Sequence, residues 1–456
     1  MLKVLREYFK GKKILILGFG VEGQSTYRLL RKLFPDDILH IADVNEDLRN
    51  NPIVVNNIQK LDVQFGRNYL KDIGSYDLVI KAPGISLKSI EGADFSRFTS
   101  HTELFIRLFK NQIIGITGTK GKSTTTSLIY HIYKTFNNNT LLVGNIGIPP
   151  FDLLDSIDNN TVIVYELSSH QLEQIHVSPH IAVLLNLYEE HLDHYLTFER
   201  YIQAKLNIVS CQQSNDVFIY NDDDERINKV LTQYSLRSKI LKFSLQHSVD
   251  RGCYLKANKV YFHDGERHEV FDRDRLSNLI GDHNLLNTMA AVCACLISGI
   301  PADSITAAVD SFEPLEHRIE YVGNFGDVIY YNDSISTIPE ATIAAVKSLK
   351  IVDTLILGGY DRGISYDILL DFIGTSEVKN LVFIGQAGNR MMEIYKSKNI
   401  SGKNSCCFSN FDDAVLYAKN ITTKGKICLL SPAAASYGMF RNFAERGAKY
   451  KQLVRS

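Results

Sequence analysis

Gly118-Thr119-Lys120-Gly121-Lys122-Ser123-Thr124 follows the apolar run Ile113 to Thr117 and opens the helical stretch Ser123 to Lys134. A strand, a glycine loop and a helix in that order make a grip for phosphate. Glycines let backbone N–H groups converge on one point, and the helix N-terminus behind them adds partial positive charge. Lys122 adds a full charge, and Ser123 can hold magnesium. Ile116 stands where the commoner G-x-x-x-x-G-K-[ST] has its first glycine, so the form here is G-x-x-G-K-S-T. A glycine-rich turn with no ligand is the bland alternative; the strand context and the Gly-Lys-Ser run argue against it.

Working outward, the same alternation repeats. Lys13 to Leu17 reads as a strand and Glu22 to Leu33 as a helix, with strands again at Ile38 to Ala42 and Asp77 to Ile80. Beyond the loop, Thr161 to Tyr165 and Ile181 to Leu187 are apolar runs of strand length. A third series begins near His317, with strands at Val328 to Asn332, Thr354 to Leu357, Leu381 to Ile384 and Ile427 to Leu430. Strands alternating with helices imply parallel sheets with crossover helices. The expected class is α/β in three domains, each on a mainly parallel sheet: a Rossmann-like domain over 1–104, a P-loop-type ATPase domain over 105–316 and a Rossmann-like domain over 317–456. The polar, alternating segment Ile240 to Val270 reads as a small antiparallel excursion without chemistry of its own.

A chain of 456 residues has room for two to four domains at about 100–200 residues each. Lysine and arginine number 50 against 51 acidic residues, a net charge of −1, so no overall cationic field gathers nucleic acid or anionic membrane. Seven cysteines at irregular spacing, without a CxxC pair, speak against a disulfide framework or structural zinc and for reduced thiols in a cytoplasm. Met1 to Lys10 lacks the apolar core of a signal peptide, and no run of about 18 apolar residues spells a membrane span. Nothing in the sequence requires more than a monomer.

Three further clusters follow apolar runs. Glu166, within Tyr165 to Glu173, ends a strand where parallel sheets place ligand-facing groups; it would suit a nucleotide-bound magnesium, or it simply caps the next helix. Asn186 to Tyr195 packs Glu189, Glu190, His191, Asp193 and His194 together, either to ligate a metal or shuttle protons, or as an acidic helix start with incidental histidines. Lys205 lies on a helix, where a lone lysine is usually just solvated. Near the N-terminus, Gly18-Phe19-Gly20-Val21-Glu22-Gly23 is a G-x-G-x-x-G between strand and helix, with Asp43 about 20 residues on. Alone it suggests a dinucleotide-binding unit and a dehydrogenase, and shows only that a pyrophosphate fits that helix N-terminus.

Taken in order, these motifs resemble the Mur ligase family of peptidoglycan synthesis over nearly the whole chain, most of all its glutamate-adding branch. The matching stretches are the loop, Gly144-Asn145-Ile146-Gly147, Glu166 to Glu173, Leu185 to Tyr195, Lys205, His283-Asn284 with Asn287, His317-Arg318-Ile319-Glu320, Asn332-Asp333-Ser334 and Leu430 to Gly447. The resemblance implies a first domain that binds the UDP of a nucleotide sugar through Gly20, Val21, Glu22, Asp43 and the turn Ala82-Pro83-Gly84. It implies ATP held by Gly118 to Thr124 with Asn287, Arg318 and Asp333, and Lys122 on the transferring phosphate. One magnesium would take Ser123 and Glu166; a second would take His191 and Lys205, the lysine carbamylated by carbon dioxide. Asn145, Ser168 and Gln171 would lie near the muramoyl-alanine end, and Thr337, Arg362, Ser436 and Phe443 would hold glutamate. The catalytic set is then Lys122, His191 and Lys205, with His191 a candidate general base.

The implied reaction phosphorylates the L-alanine carboxylate of UDP-N-acetylmuramoyl-L-alanine, after which the glutamate amine displaces phosphate. Two departures fall around the incoming amino acid. Asp333-Ser334-Ile335-Ser336-Thr337 has Ile335 where the branch commonly has lysine, and Tyr360-Asp361-Arg362-Gly363 has Arg362 where lysine is frequent. An arginine there can take a carboxylate bidentately. Because a related branch adds L-glutamate, both stereoisomers stay open, with D-glutamate favoured. A folate polyglutamate ligase would lack this first domain. A dehydrogenase would leave the Gly118 loop unexplained, and a non-catalytic nucleotide-binding protein would not need Glu166, His191 and Lys205 together.

Overall fold

The computed structural model describes residues 2–86, 94–136, 139–146, 148–276, 279–313, 315–398 and 400–456; Gly147 and the side chain of Asp193 lie outside the described residues. The expected α/β class holds, with three sheets in chain order. The first contains β1 (Ile14–Leu17), β2 (Leu39–Asp43), β3 (Leu61–Phe65), β4 (Leu78–Lys81) and β5 (Phe98–Ser100), in the order β3-β2-β1-β4-β5 and parallel throughout. β1 is an unbroken Ile-Leu-Ile-Leu run buried on both faces, as a central parallel strand requires.

The second sheet has nine strands: β6 (Ile113–Thr117), β7 (Thr140–Gly144), β8 (Val162–Glu166), β9 (Ile181–Leu184), β10 (Val217–Asn221), β11 (Lys239–Ser244), β12 (Gly252–Lys256), β13 (Lys259–Asp264) and β14 (Glu266–Asp272). Their order is β14-β13-β12-β11-β10-β9-β6-β8-β7. The antiparallel excursion begins later than its polar composition suggests. β11 and β12 still pair in parallel, and the direction reverses only at β12–β13 and β13–β14. β9 also stops at Leu184, short of the expected Leu187, because the next residues turn away to meet the glycine loop.

The third sheet holds β15 (Glu320–Phe325), β16 (Val328–Asn332), β17 (Val352–Gly358), β18 (Asn380–Ile384), β19 (Asn404–Phe408) and β20 (Ile427–Leu430), in the order β15-β16-β20-β17-β18-β19. Only its β15–β16 hairpin is antiparallel. By contact the chain forms two compact units: Met1–Arg275 with Leu286–Ser311, and Leu276–Leu285 with Phe312–Ser456. The first two sheets thus share one unit, and one apolar cluster runs from Leu5 and Ile16 through Phe105 and Phe151 to Tyr165 and Phe218. All seven cysteines are free, and no helix among the described residues is long and apolar enough to cross a membrane.

Two glycines of the N-terminal motif are required by packing. Gly18 has φ +91°, and a Cβ there would press on Ala82 Cβ at 2.7 Å. A Cβ on Gly23 would fall on the Gly18 carbonyl, so only glycine lets the helix Val21–Leu33 lie this close to the turn. Gly20 differs: its φ is −70° and a Cβ there would meet nothing within 4 Å. Gly23→Ala is expected to destabilise the first unit by about 1–3 kcal/mol, since backbone cannot yield as a side chain tip can. The check is the urea midpoint of the first unfolding transition, and an unshifted midpoint would show that the turn relaxes.

Candidate active site

β6, β8 and β9 end side by side, with Ile116 opposite Glu166 and Thr117 opposite Leu184. Their carboxyl ends therefore present the glycine loop, Glu166 and the Asn186 segment at one edge. The loop is clamped by that segment. Asn186 Oδ1 accepts from the Lys120 N–H at 2.8 Å, and Asn186 Nδ2 donates to the Lys120 carbonyl at 3.0 Å. Thr119 N–H donates to the Asn186 carbonyl, and Thr119 Oγ1 meets both the Tyr188 N–H and the Tyr201 hydroxyl at 2.9 Å. Gly121 has φ +85° and a Cβ there would strike the side-chain oxygen of Asn287, which brings that expected nucleotide residue against the loop.

Three lysines converge here. Lys122 Nζ donates to the carbonyls of Gly118 at 2.9 Å and Thr119 at 3.0 Å. Lys205, 1% exposed, donates to the same Gly118 carbonyl at 2.8 Å. Burial, and after it the charge of Lys122, holds the Lys205 ammonium well below its ordinary range. The lone helix lysine is thus buried against the glycine loop, not solvated, with an amine poised to be neutral. Lys120 pairs with Glu190 at 2.8 Å; burial pushes that carboxyl up, but Lys120, Lys122 and His191 together hold it below its usual value.

Glu166 is fully buried. Asn145 Nδ2 donates to its Oε1 at 2.9 Å, whereas Oε2 has no hydrogen-bond partner among the described residues. A buried, half-satisfied carboxylate beside a phosphate loop fits a hard cation, with the Ser123 hydroxyl and phosphate oxygens as the other ligands. Among the described residues no group of three or more His, Cys, Asp or Glu side chains gathers around a metal position. Asn145 therefore stands at Glu166, and Ser168 and Gln171 form the capping box of the short helix Ser169–Leu172.

His191 has a left-handed backbone at φ 57°, uncommon for a residue with a side chain and found at functional turns. Its ring lies 4.7 Å from that of His170 and 6.4 Å from that of Tyr201, and Lys205 Nζ sits 4.7 Å over the Tyr201 ring. Burial, then His191 and His194, push the His170 imidazolium down to about 3. His194 meets Glu173 at 3.1 Å, and Glu173 meets Lys81, at the end of β4, at 3.6 Å. Lys81 and Tyr201 do not stand out in the sequence, and His170 and Glu173 do so only within the Glu166 to Glu173 stretch; the position of Lys81 at a strand end before Ala-Pro-Gly is the available signal.

Of the residues expected for the nucleotide sugar, Glu22 and Gln171 touch, with Gln171 Nε2 donating to Glu22 Oε1 at 2.6 Å. Asp43 braces the glycine turn, its oxygens accepting from Phe19 N–H at 2.7 Å and Asn45 N–H at 2.8 Å. Val21 is exposed, and Pro83 and Gly84 follow β4 in the turn after Lys81.

In the second unit, Asp333 is buried. It accepts from Ser431 Oγ at 2.7 Å and the Ile319 N–H at 3.2 Å, and burial pushes its carboxyl up to about 6, partly opposed by Arg318. Arg318 is thus beside Asp333, between two left-handed residues, His317 and Ile319. Arg362 is exposed, and its guanidinium donates to the Thr337 carbonyl at 2.8 Å. Ser436 is buried; Phe443 starts the helix Phe443–Arg455, its carbonyl accepting from Ser334 Oγ at 2.8 Å. Arg446 carries no signal of its own in the sequence. It is buried and tied to Ser334 and to the Ala434 and Ala435 carbonyls, holding the strand ends around Ser436.

Residues 116–295 match the Mur ligase middle domain. The UDP-N-acetylmuramoylalanine–D-glutamate ligase of Lachnoclostridium phytofermentans is 35% identical over 460 residues, spanning 98% of this chain and 98% of that protein. Its counterpart in Clostridioides difficile is 35% identical over 451 residues, with the same coverage. Among solved structures, a UDP-N-acetylmuramate-alanine ligase from Thermotoga maritima shares the fold at TM-score 0.57 and 16% identity, over 97% of this chain and 99% of that one. MurF from Acinetobacter baumannii does so at TM-score 0.59 and 14% identity, over 97% and 90%.

Removing the clamp tests how the loop is held. Asn186→Ala deletes two hydrogen bonds to Lys120, each worth about 0.5–1.5 kcal/mol, and is expected to speed amide exchange at Thr119 to Gly121 roughly tenfold. Hydrogen-exchange mass spectrometry reads this, and unchanged protection would place the clamp elsewhere.

Proposed function

The chain belongs to the Mur ligase family, and from that membership we propose that it joins D-glutamate to UDP-N-acetylmuramoyl-L-alanine in the cytoplasm, acting as a monomer. It is an ATP-dependent ligase of peptidoglycan precursor synthesis, using ATP and magnesium as Mur ligases do. The three sheets correspond, on this reading, to a UDP-sugar domain over 1–104, an ATP domain over 105–316 and a glutamate domain over 317–456. The observation that supports it most is the convergence of Lys122, Lys205, Glu166 and Asn287 on one glycine loop.

A carboxylate is a poor electrophile, so the L-alanine carboxylate first attacks the γ-phosphorus of ATP, giving an acyl phosphate and ADP. Lys122 exchanges its two loop carbonyls for the transferring phosphoryl oxygens and neutralises charge that grows there. Glu166 and Ser123 would hold one magnesium, which would supply charge neutralisation for the nucleotide. His191 and Lys205 would serve a second. Lys205 suits carbamylation because a buried, neutral amine is the form whose nitrogen bonds to the carbon of carbon dioxide; one N–H proton leaves to solvent, and the carbamate presents anionic oxygen where an ammonium would crowd Lys122. The glutamate amine then adds to the acyl carbon and expels phosphate. His191 is the candidate base for that amine. Arg362, with Thr337, Ser436 and Phe443, positions the glutamate.

Phosphate release is expected to require ATP, UDP-N-acetylmuramoyl-L-alanine and D-glutamate together, and to fall by about 10²–10³ in Lys122→Ala. Activity with L-glutamate alone would reverse the stereochemical assignment, and activity with neither would remove the reading. Arg362→Ala is expected to raise the KM for glutamate about 10–100-fold, the worth of one charged hydrogen-bonded contact, with Arg362→Lys between it and the parent.

A further inference from the structure

Glu22 stands in the first turn of the helix Val21–Leu33, behind the open Gly20 turn. The reading of the first sheet as the UDP-sugar domain seats a diphosphate at this helix end, and the role assigned here to Glu22 rests on that reading. An ionised carboxylate there would repel the diphosphate it has to meet. The contacts of Glu22 resolve the conflict. Gln171 Oε1 is committed to the Ser168 N–H at 2.9 Å, so the end of that amide facing Glu22 is the donor Nε2. Glu22 Oε1 must therefore accept. Oε2 is buried without a hydrogen-bond partner among the described residues, so a proton on Glu22 belongs on Oε2.

We propose that Glu22 meets the substrate as a neutral acid, protonated on the buried Oε2 while Oε1 keeps the Gln171 amide, so that binding a diphosphate at this helix end takes up a proton from solvent. One bond forms, the Oε2–H bond, with its proton supplied by solvent or buffer, and no group is transferred. Burial favours this form, pushing the Glu22 acid up to about 7 against the pull of Gln171 and Lys81.

The charged and titratable neighbours are drawn from each element packed here. Lys81 ends β4 and is lowered by burial while engaging Glu173. Tyr165 on β8 is raised and stays neutral. His101, at the start of the helix His101–Phe109, is pushed down to about 3 and stays neutral. Asp152 is partly buried but held below its usual range by Arg28, on the same helix as Glu22. A diphosphate binding beside Glu22 raises its acid further, so the proton is taken up most completely where the free protein is ionised.

Calorimetry of the full chain with UDP-N-acetylmuramoyl-L-alanine, from pH 6.5 to 8.5 in two buffers of different ionisation heat, tests this. The expected result is an affinity that weakens toward tenfold per pH unit above about 7, with proton uptake approaching one per ligand at pH 8.5. Glu22→Gln, uncharged at every pH, is expected to lose both the proton uptake and the pH slope, and Glu22→Ala is expected to lose them as well. Binding by the parent chain without proton uptake, or a Glu22→Gln protein that keeps the parent's slope, overturns the proposal while leaving the UDP-sugar reading in place. A folded parent chain that does not bind the nucleotide sugar at any pH overturns that reading, and the proposal with it.

Discussion

The carbonyl oxygen of Gly118 accepts from two ammonium groups, those of Lys122 and Lys205. Two like charges at one acceptor, one of them on a fully buried side chain, make an arrangement that water would normally relieve and that burial here prevents. The surrounding structure opposes the repulsion in two ways. Glu190 and Glu166 supply negative charge close by, and the Asn186 and Thr119 hydrogen bonds hold the loop backbone so that its carbonyl cannot turn away. The cost is borne mainly by Lys205, whose amine is pushed toward its neutral form. A loop held this way is preorganised for added anions, because a triphosphate satisfies both the charge and the donors at once.

That preorganisation depends on the sheet. Parallel strands β6, β8 and β9 deliver the loop, Glu166 and Asn186 from three separate stretches of chain to one edge without any of them being close in sequence. The first sheet reaches the same unit through a different set of contacts. Lys81 meets Glu173, Glu22 meets Gln171, and Ser25 and Arg28 meet Asp152. Each joins a residue at a strand end or on a helix of the first sheet to a loop or short helix of the second. Charged and polar contacts of this kind fix register more than they add stability.

Sequence patterning made the strands and the loop legible because their residues are adjacent and their composition is extreme: β-branched runs, then glycines, then Lys-Ser-Thr. Glu166 and His191 were visible for the same reason, each following a strand. Asn186 was visible only as part of a cluster, since its task depends on where β9 stops, and the apolar run continues past that point to Leu187. Lys205 could not be told from a solvated helix lysine without its burial. Glu22 was legible as a neighbour of the motif glycines, but its pairing with Gln171 spans 149 positions and no local pattern encodes it. Two of the motif's glycines are also required by packing, Gly18 against Ala82 and Gly23 against the Gly18 carbonyl. Asp43, which in a dehydrogenase reading would meet a ribose, accepts from the turn's own N–H groups.

The two departures around the incoming amino acid are less severe in structure than in sequence. Losing a lysine at Ile335 removes a cation, and the question is whether another remains available nearby. Arg390 does not qualify, because Asp361 takes it bidentately at 2.6 and 2.7 Å and the Ile364 carbonyl accepts a further N–H from Nη2. That pairing consumes the acidic neighbour of Arg362. Arg362 then has no carboxylate partner among the described residues, and its guanidinium is held by one neutral bond to the Thr337 carbonyl. A neutral bond orients the fork without cancelling its charge. The Asp361–Arg390 pair thus occupies the carboxylate beside Arg362 in the chain and leaves the Arg362 guanidinium with the Thr337 carbonyl.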